Sequence, residues 1–136
     1  VSCVLSTVLI AFFASPSTAD ENNILLTGEV LGTDNQLSNT DGTFVMQGDC
    51  NLVLYNKANG FQSNTHGKGV NCTLTLSDYG QLIIRSTNGT AVWTSPNTHN
   101  SKSGKYAAIL RPDGQVAIYG TSVWSTPEWS SSANDE

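Results

Sequence analysis

Hydrophobic residues in this chain fall in short runs in which polar and apolar positions alternate. Three such runs, at 42–46, 72–76 and 106–110, have the two-residue period of a strand with one buried face. Each is followed by a second apolar run and then, within a few residues, by a turn and a large aromatic residue. The pattern predicts short antiparallel strands joined by turns.

The second runs of the three segments align with one another, which indicates an internal repeat. With the residues before them they read QGDCNLVLY at 47–55, SDYGQLIIR at 77–85 and RPDGQVAIY at 111–119, and these are the first, second and third units. An isolated hairpin is only marginally stable in water, so the three units are expected to share one core. We predict an all-β fold, a three-sided prism or barrel of antiparallel strands about a pseudo-threefold axis, with a two-sheet sandwich as the alternative.

One large aromatic residue recurs in each unit: Phe61, Trp93 and Trp124. A threefold arrangement would bring these rings together, and each would bury on the order of 150–250 Å². We therefore expect an aromatic cluster at the centre of the fold.

The charge of the chain argues against nucleic-acid binding. The 136 residues carry a formal net charge of −5, and the six Lys and Arg residues are scattered along the sequence. A nucleic-acid site needs clustered basic residues. No nucleic-acid partner is therefore expected.

The acidic residues do not form the pair that a hydrolase needs. Asp49 and Asp113 occupy equivalent positions in different units, and Asp78 is out of register with both. His66 and His99 fall in turn-like segments with no nucleophile at a recognisable spacing, and we interpret them as solvated loop residues. The chain is expected not to be an enzyme and to hold no metal ion or cofactor.

The two ends of the sequence differ from the rest. Residues 1–14 are mostly apolar, in a stretch too short to span a bilayer comfortably, and small residues follow at 17–19. This pattern predicts a signal peptide at 1–19, incomplete at its N-terminus, with a buried N-terminal strand as the alternative. The aperiodic end at 128–136 is interpreted as a tail or propeptide, which leaves one domain at 20–127. We expect a secreted or vacuolar protein that does not insert into a membrane.

Removal of the signal peptide leaves two of the three cysteines, Cys50 and Cys72. In an oxidising compartment this even pair is expected to form a disulfide. Two N-glycosylation sequons, Asn71-Cys-Thr and Asn88-Gly-Thr, would be available in the same pathway. The first is the weaker candidate, because its middle residue is the bridged cysteine.

The first unit is predicted to place five side chains on one face of a strand: Gln47, Asp49, Asn51, Val53 and Tyr55. Two amides, a carboxylate and a phenol can donate or accept hydrogen bonds, and Val53 adds a small apolar surface. A pyranose presents adjacent hydroxyls above a ring of C–H groups, so this set of side chains suits a sugar. Polar alternation by itself is also typical of any sheet that faces water.

These five residues resemble the signature Gln-x-Asp-x-Asn-x-Val-x-Tyr of the monocot mannose-binding lectins of the snowdrop-lectin type. The similarity extends over about 23–127 and includes the repeat spacing, the Cys50 and Cys72 pair and two of the three core tryptophans, with Phe61 in place of the third. The resemblance implies a β-prism of three four-stranded antiparallel sheets. It also implies metal-free binding of α-mannose in high-mannose glycans and glycoproteins.

The resemblance assigns a role to each residue of the first unit. Asp49 and Asn51 would hold the axial 2-hydroxyl that distinguishes mannose from glucose. Gln47 would bind the 3-hydroxyl and Tyr55 the 4-hydroxyl, while Val53 would contact the ring carbons.

The other two units depart from the signature. The second unit replaces all five positions and is expected not to bind mannose; its residues are Ser77, Tyr79, Gln81, Ile83 and Arg85. The third unit keeps the signature aspartate and tyrosine but has Arg111, Gln115 and Ala117 at the other positions. It is a candidate weak second site, formed by Asp113, Gln115 and Tyr119. Binding of another sugar, contact with a partner chain and a purely structural role are the alternatives for such units.

The resemblance also implies an oligomer. Family members form dimers or tetramers, often by exchange of a C-terminal strand, and residues 120–126 are the equivalent segment here. Both a homo-oligomer and a hetero-oligomer remain open. The implied function is that of a plant lectin active in defence. The alternative is a storage or protein-interaction member of the same fold that does not bind sugar.

Overall fold

The computed structural model of the chain describes residues 22–97, 102–122 and 124–127. The predicted signal peptide at 1–19, the predicted tail at 128–136 and His99 lie outside these residues. Within the described ranges, no helix is long and apolar enough to cross a membrane. The strands found there are, in chain order, β1 (Ile24–Leu26), β2 (Val30–Leu31), β3 (Gln36–Asn39), β4 (Gly42–Met46), β5 (Leu52–Asn56), β6 (Phe61–Gln62), β7 (Thr73–Leu76), β8 (Leu82–Arg85), β9 (Ala91–Thr94), β10 (Ala107–Leu110) and β11 (Val116–Tyr119).

The strands form three antiparallel sheets, with the orders β3-β4-β5-β6, β2-β7-β8-β9 and β1-β10-β11. Each sheet contains the hairpin of one unit, which is β4–β5, β7–β8 or β10–β11. The first three strands of the chain, β1, β2 and β3, each join a different sheet. The segment 24–39 therefore links all three sheets. The predicted β-prism is confirmed, and the sandwich alternative is wrong.

The number of strands differs between the sheets. The sheets of the first and second units have four strands each, whereas the sheet of the third unit has three among the described residues. The segment 120–126 was expected to supply a C-terminal strand, but it is not in a strand where the structure describes it. Within the described chain, β11 therefore pairs with β10 alone.

The turn inside each hairpin has the same geometry in all three units. The main-chain N–H of its first residue donates to the carbonyl of its fifth, and the N–H of its fourth donates to the carbonyl of its first. The fourth residue has a positive φ each time, 77° at Cys50, 78° at Gly80 and 82° at Gly114. This backbone conformation suits glycine and is strained for other residues. Cys50 is therefore the exception, and tertiary contacts must hold it in place.

The disulfide between Cys50 and Cys72 is present, as predicted. Both cysteines are fully buried. The bridge ties the turn of the first unit to the residue that precedes β7, over a sequence separation of 22. Closing a loop of this size contributes about 3 kcal/mol to stability in the chain-entropy model, because it restricts the unfolded chain.

The core is mainly aliphatic, and its one buried aromatic ring in the described residues is Phe44, so the prediction of a central cluster of Phe61, Trp93 and Trp124 is wrong. Phe61 and Trp93 do contact each other, with ring centroids 6.0 Å apart, but Phe61 is 43% exposed and Trp124 is 75% exposed. Phe61 and Trp93 lie on β6 and β9, which are the outer strands of their sheets. The inward positions of the other strands already fill the centre with side chains that include Leu37, Met46, Leu52, Leu74, Ile84 and Leu110.

Candidate functional site

The five residues singled out in the first unit lie on a turn and a strand. Residues 47–51 form the hairpin turn, and β5 begins at Leu52. The prediction of one extended face over 47–55 is therefore wrong in its first half, because the positive φ at Cys50 reverses the chain. The turn nevertheless brings Gln47 back to the strand, where its Nε2 donates to the Tyr55 hydroxyl at 2.7 Å.

The carboxylate of Asp49 is held at both oxygens. Its Oδ1 accepts the main-chain N–H of Asn51 at 2.9 Å, and its Oδ2 lies 3.2 Å from Nδ1 of His66. The interpretation of His66 as a solvated loop residue misses this contact, although the imidazole is indeed exposed. A carboxylate oxygen has two lone pairs, so each oxygen can still accept a hydroxyl from a ligand.

Asn51 is the most buried polar residue of the five, with 8% of its surface exposed. Its Oδ1 accepts the Ser63 hydroxyl at 3.2 Å and the main-chain N–H of Thr65 at 3.1 Å. Its Nδ2 donates to Oε1 of Gln62 at 3.0 Å. Because an amide nitrogen carries two hydrogens, these contacts fix the Asn51 side chain and leave one donor for a ligand.

Four of the five predicted residues line one open cleft of about 380 Å³: Gln47, Asn51, Val53 and Tyr55. Asp49 is joined to this cleft through its hydrogen bond to the Asn51 main chain. The remaining lining residues are Leu54, Asn59, Phe61 and Gln62. The structure thus brings amide and phenol groups together around the Val53 side chain.

Sequence reasoning missed three polar neighbours of this cleft: Asn59, Gln62 and His66. Gln62 reaches the site because it pairs with Val53 in the ladder between β5 and β6. A strand of two residues is too short to show a period, so alternation carries no signal for it. The signal that was available is proximity in the sequence, since 56–66 directly follows the first unit in the chain.

Comparison with known proteins places this geometry in a family, although no protein-family model matches the chain. Mannose-specific lectin 2 of Crocus vernus is 60% identical over 129 residues, which cover 93% of this chain and 49% of that protein. An X-ray structure of a mannose-specific lectin from the same species is 61% identical, has a TM-score of 0.76, and matches 79% of this chain and 99% of that one. The chain belongs to the monocot mannose-binding lectin family.

A second structural neighbour of this lectin is Colocasia esculenta agglutinin with mannose bound. It is 46% identical, has a TM-score of 0.72, and matches 80% of this chain and 96% of that one. The chain spans about half the length of the Crocus vernus sequence relatives, 49% and 48% for two of them. Lectins are a non-enzymatic class, and the chain is accordingly not an enzyme.

The second unit of the lectin keeps the turn but not the sugar-binding groups. The Ser77 hydroxyl accepts the main-chain N–H groups of Tyr79 at 3.2 Å and of Gln81 at 3.1 Å. The Gln81 amide nitrogen donates to the Ser95 carbonyl at 3.0 Å. With no carboxylate and no terminal phenol in the signature positions, this unit is still expected not to bind mannose.

The third unit of the lectin has an arginine lying across its polar groups. Asp113 accepts the main-chain N–H of Gln115 at 3.0 Å, just as Asp49 accepts that of Asn51. The guanidinium of Arg111 donates to both carboxylate oxygens of Asp113 and, at 3.4 Å, to the Tyr119 hydroxyl. The hydrogen bond from Arg111 lowers the pKa of the Asp113 carboxyl below its ordinary value.

The same contacts raise the pKa of the Arg111 guanidinium, chiefly through its hydrogen bond to Asp113. Asp113 Oδ1 already accepts two hydrogen bonds, from Arg111 Nε and the Gln115 main chain. A sugar at this unit would therefore have to compete with Arg111 for Asp113 and Tyr119. The weak second site at Asp113, Gln115 and Tyr119 stays a prediction, and this arrangement argues against it. In the first unit, by contrast, the residue that partners the aspartate is His66, which comes from a separate loop.

Metal-binding residues are not grouped in the part of the lectin that the structure describes. Three or more His, Cys, Asp or Glu side chains do not come together there in a way that could hold a metal ion.

Proposed function

We propose that the chain binds mannose without a metal ion through Gln47, Asp49, Asn51, Val53 and Tyr55. The observation that carries the proposal is the cleft that four of these residues line. Asp49 is next to it, hydrogen-bonded to the main chain of Asn51, one of the four. The names of the relatives support it, because they are mannose-specific lectins, as does the neighbour with mannose bound. The ligands are mannose-containing glycans and glycoproteins.

Each polar group of the site has chemistry that suits one sugar hydroxyl. An ionised Asp49 only accepts hydrogen bonds, whereas Asn51 has one N–H left to donate, so together they can bind the axial 2-hydroxyl as both donor and acceptor. Gln47 and Tyr55 are already joined at 2.7 Å. They are therefore held in position for the adjacent 3- and 4-hydroxyls, with Val53 against the ring carbons.

A single site of this kind is weak. Four hydrogen bonds that compete with water, at about 1 kcal/mol each, give a few kcal/mol and an affinity near the millimolar range. Linked sites raise the avidity for a branched glycan by roughly 10²- to 10⁴-fold. Effective binding to a glycan-covered surface therefore requires more than one copy of the site.

Chromatography on mannose-agarose in the presence of EDTA tests the proposal. We expect the protein to be retained and to elute with methyl α-mannoside but not with methyl β-galactoside. Tyr55→Ala and Tyr119→Ala are matched variants, because both tyrosines lie on the second strand of their hairpins and are 55% and 46% exposed. The first should weaken retention and the second should not. Flow-through of folded wild-type protein would contradict the proposal and favour the storage or protein-interaction alternative.

We further propose that copies of the chain associate by exchange of the segment 120–126. The third sheet has one strand fewer than the other two in the described residues, so β11 can accept another strand. β11 also contributes Val116 and Ile118 to a cavity of about 270 Å³, whose other walls include Phe61 and Trp93. Exchange would complete this sheet and bury the exposed Trp124 in the cavity of a partner.

Sedimentation velocity tests the exchange. The full chain should sediment as a dimer or tetramer, and a chain truncated before Gly120 should be monomeric or unfolded. Trp124→Ala should weaken association, because the cavity then loses its apolar occupant. A stable dimer of the truncated chain would contradict the proposal. A full chain that is folded but monomeric would exclude the homo-oligomer and leave the hetero-oligomer.

We also propose that the protein passes through the secretory pathway to the cell exterior or the vacuole, where it acts in plant defence. The disulfide supports this location, because such bridges persist in oxidising compartments. Fractionation of cells that express the untagged protein tests it. A reduced protein in the cytosol would contradict it.

A further inference from the structure

The hairpin that joins β8 to β9 ends in an exposed turn with the sequence Asn88-Gly-Thr. This turn repeats the geometry of the unit turns, because the main-chain N–H of Ser86 donates to the Thr90 carbonyl at 2.9 Å and that of Gly89 to the Ser86 carbonyl at 2.8 Å. Gly89 takes the positive φ that the turn requires, 88°. All of 87–91 is exposed. An attached group at Asn88 would therefore extend into solvent.

The Asn88 side chain is oriented by its own turn. Its Oδ1 accepts the main-chain N–H of Thr90 at 3.0 Å, the contact that Asp49 makes with Asn51 in the first unit. Asparagine commonly forms such a turn with the residue two positions on. The contact holds the asparagine and the hydroxyl-bearing residue of the sequon in a defined relation and does not use the amide nitrogen.

The other sequon, Asn71-Cys-Thr, has a different setting. Asn71 has a φ of 49°, and the next residue, Cys72, is fully buried in the disulfide. The third residue, Thr73, begins β7 and pairs with Arg85. Once the protein has folded, this sequon is fixed between a buried bridge and a strand, whereas Asn88 is at the tip of a hairpin.

The two sequons lie close together in the fold. The main-chain N–H of Thr87 donates to the Val70 carbonyl at 2.9 Å, and the Ser86 hydroxyl accepts the N–H of Val70 at 2.9 Å. The first bond joins the residues that directly precede the two asparagines, and the second comes from Ser86, two residues before Asn88. Two bulky oligosaccharides at this place would compete for the same space.

We propose that Asn88 carries an N-linked oligosaccharide and that Asn71 does not. The Asn88 amide nitrogen attacks the anomeric carbon of an oligosaccharide carried on a lipid diphosphate. The C–N bond forms as the C–O bond to the diphosphate breaks, the lipid diphosphate leaves, and a base of the transferase takes one amide proton. The donor and the transferase belong to the secretory pathway, so this inference rests on the proposed location.

The modification leaves the mannose site open. Asn88 lies between β8 and β9, whereas the cleft is built on β5 and β6 in a different sheet. Asn88 does not line that cleft. The glycosylated and unglycosylated forms should therefore bind mannose equally well.

The test uses the full chain produced in yeast behind a secretion leader, and only protein recovered from the medium, which has passed through the secretory pathway. Intact mass is measured before and after endoglycosidase H. We expect one oligosaccharide on the wild type and on Asn71→Gln, and none on Asn88→Gln or Thr90→Ala. Thr90→Ala keeps Asn88 and removes only the sequon. It is therefore a control for the possibility that the oligosaccharide is lost because replacement of Asn88 causes misfolding.

Unmodified wild-type protein, or an oligosaccharide that persists in Asn88→Gln, would overturn the inference. Retention on mannose-agarose is measured on the same samples. Its loss in every sample would count against the proposed mannose binding and not against the modification, because the mass records the modification independently.

Discussion

Replacement of Asp49 by asparagine separates the sugar-binding role of the carboxylate from its structural role. The main-chain N–H of Asn51 needs an acceptor, and the amide oxygen of the new side chain can replace the carboxylate Oδ1 that lies 2.9 Å away. The amide nitrogen then takes the position of Oδ2, where a donor replaces an acceptor. A mannose hydroxyl that donates to Oδ2 loses its partner.

The expected loss is large for binding and small for stability. A hydrogen bond to a charged acceptor contributes about 1.5–3 kcal/mol, so affinity should fall by about 10- to 150-fold. The turn keeps its hydrogen bond, and only the contact with His66 changes, because an N–H group replaces the oxygen that faces Nδ1. That contact joins side chains that are 41% and 76% exposed, and an exposed ion pair contributes about 0–1 kcal/mol. The free energy of unfolding should therefore change by less than about 1 kcal/mol.

Isothermal titration with methyl α-mannoside measures the affinity, and urea denaturation measures the stability. Asp113→Asn is the control, because it makes the same chemical change at a carboxylate whose oxygens both contact Arg111. It should leave mannose affinity unchanged. The reasoning is refuted if Asp49→Asn binds mannose within about twofold of the wild type, or if Asp113→Asn loses as much affinity.

Three further predictions concern other parts of the fold. Asn51→Ala removes the side-chain oxygen that accepts hydrogen bonds from two groups in the loop after β6, so it should lower the free energy of unfolding by about 1–3 kcal/mol. It should also weaken mannose binding, and unchanged urea unfolding would contradict the prediction. Arg111→Gln removes the hydrogen bond that lowers the pKa of Asp113, so that pKa should rise towards its ordinary value in a carboxyl NMR titration, and an unchanged pKa would exclude this cause. Replacement of Cys50 and Cys72 by serine should cost about 3 kcal/mol in urea unfolding, and a loss well below that would show that the bridge does not restrict the unfolded chain.

The strands and their grouping into three hairpins could be predicted from the sequence. The alternating runs at 42–46, 72–76 and 106–110 match β4, β7 and β10 to within one residue at the start and none at the end. Alternation reports the side of a strand on which each side chain lies, and that is a local property of the backbone. The internal repeat predicted three hairpins. Because an isolated hairpin is only marginally stable, the three were expected to share one core, which led to the prediction of the prism.

Most of the candidate site could also be identified from the sequence, because its residues are contiguous and match a known signature. Gln47, Val53 and Tyr55 lie together in the cleft although the chain between them turns instead of running straight. The turn could not be recognised from residue type. A cysteine stands at the left-handed position where the other two units have glycine.

The tertiary structure alone decided which groups surround the signature residues of the first unit, and which side chain occupies the equivalent place in the third unit. Gln62 reaches the site through the register of β5 and β6, and His66 through a loop that returns to Asp49. In the third unit, Arg111 donates hydrogen bonds to Asp113 and Tyr119 of its own hairpin. The sequence showed only that an arginine stands where the signature has glutamine. The period of a strand determines the face on which a side chain lies, but its partners depend on distances set by register, loop path and the sign of φ at single residues.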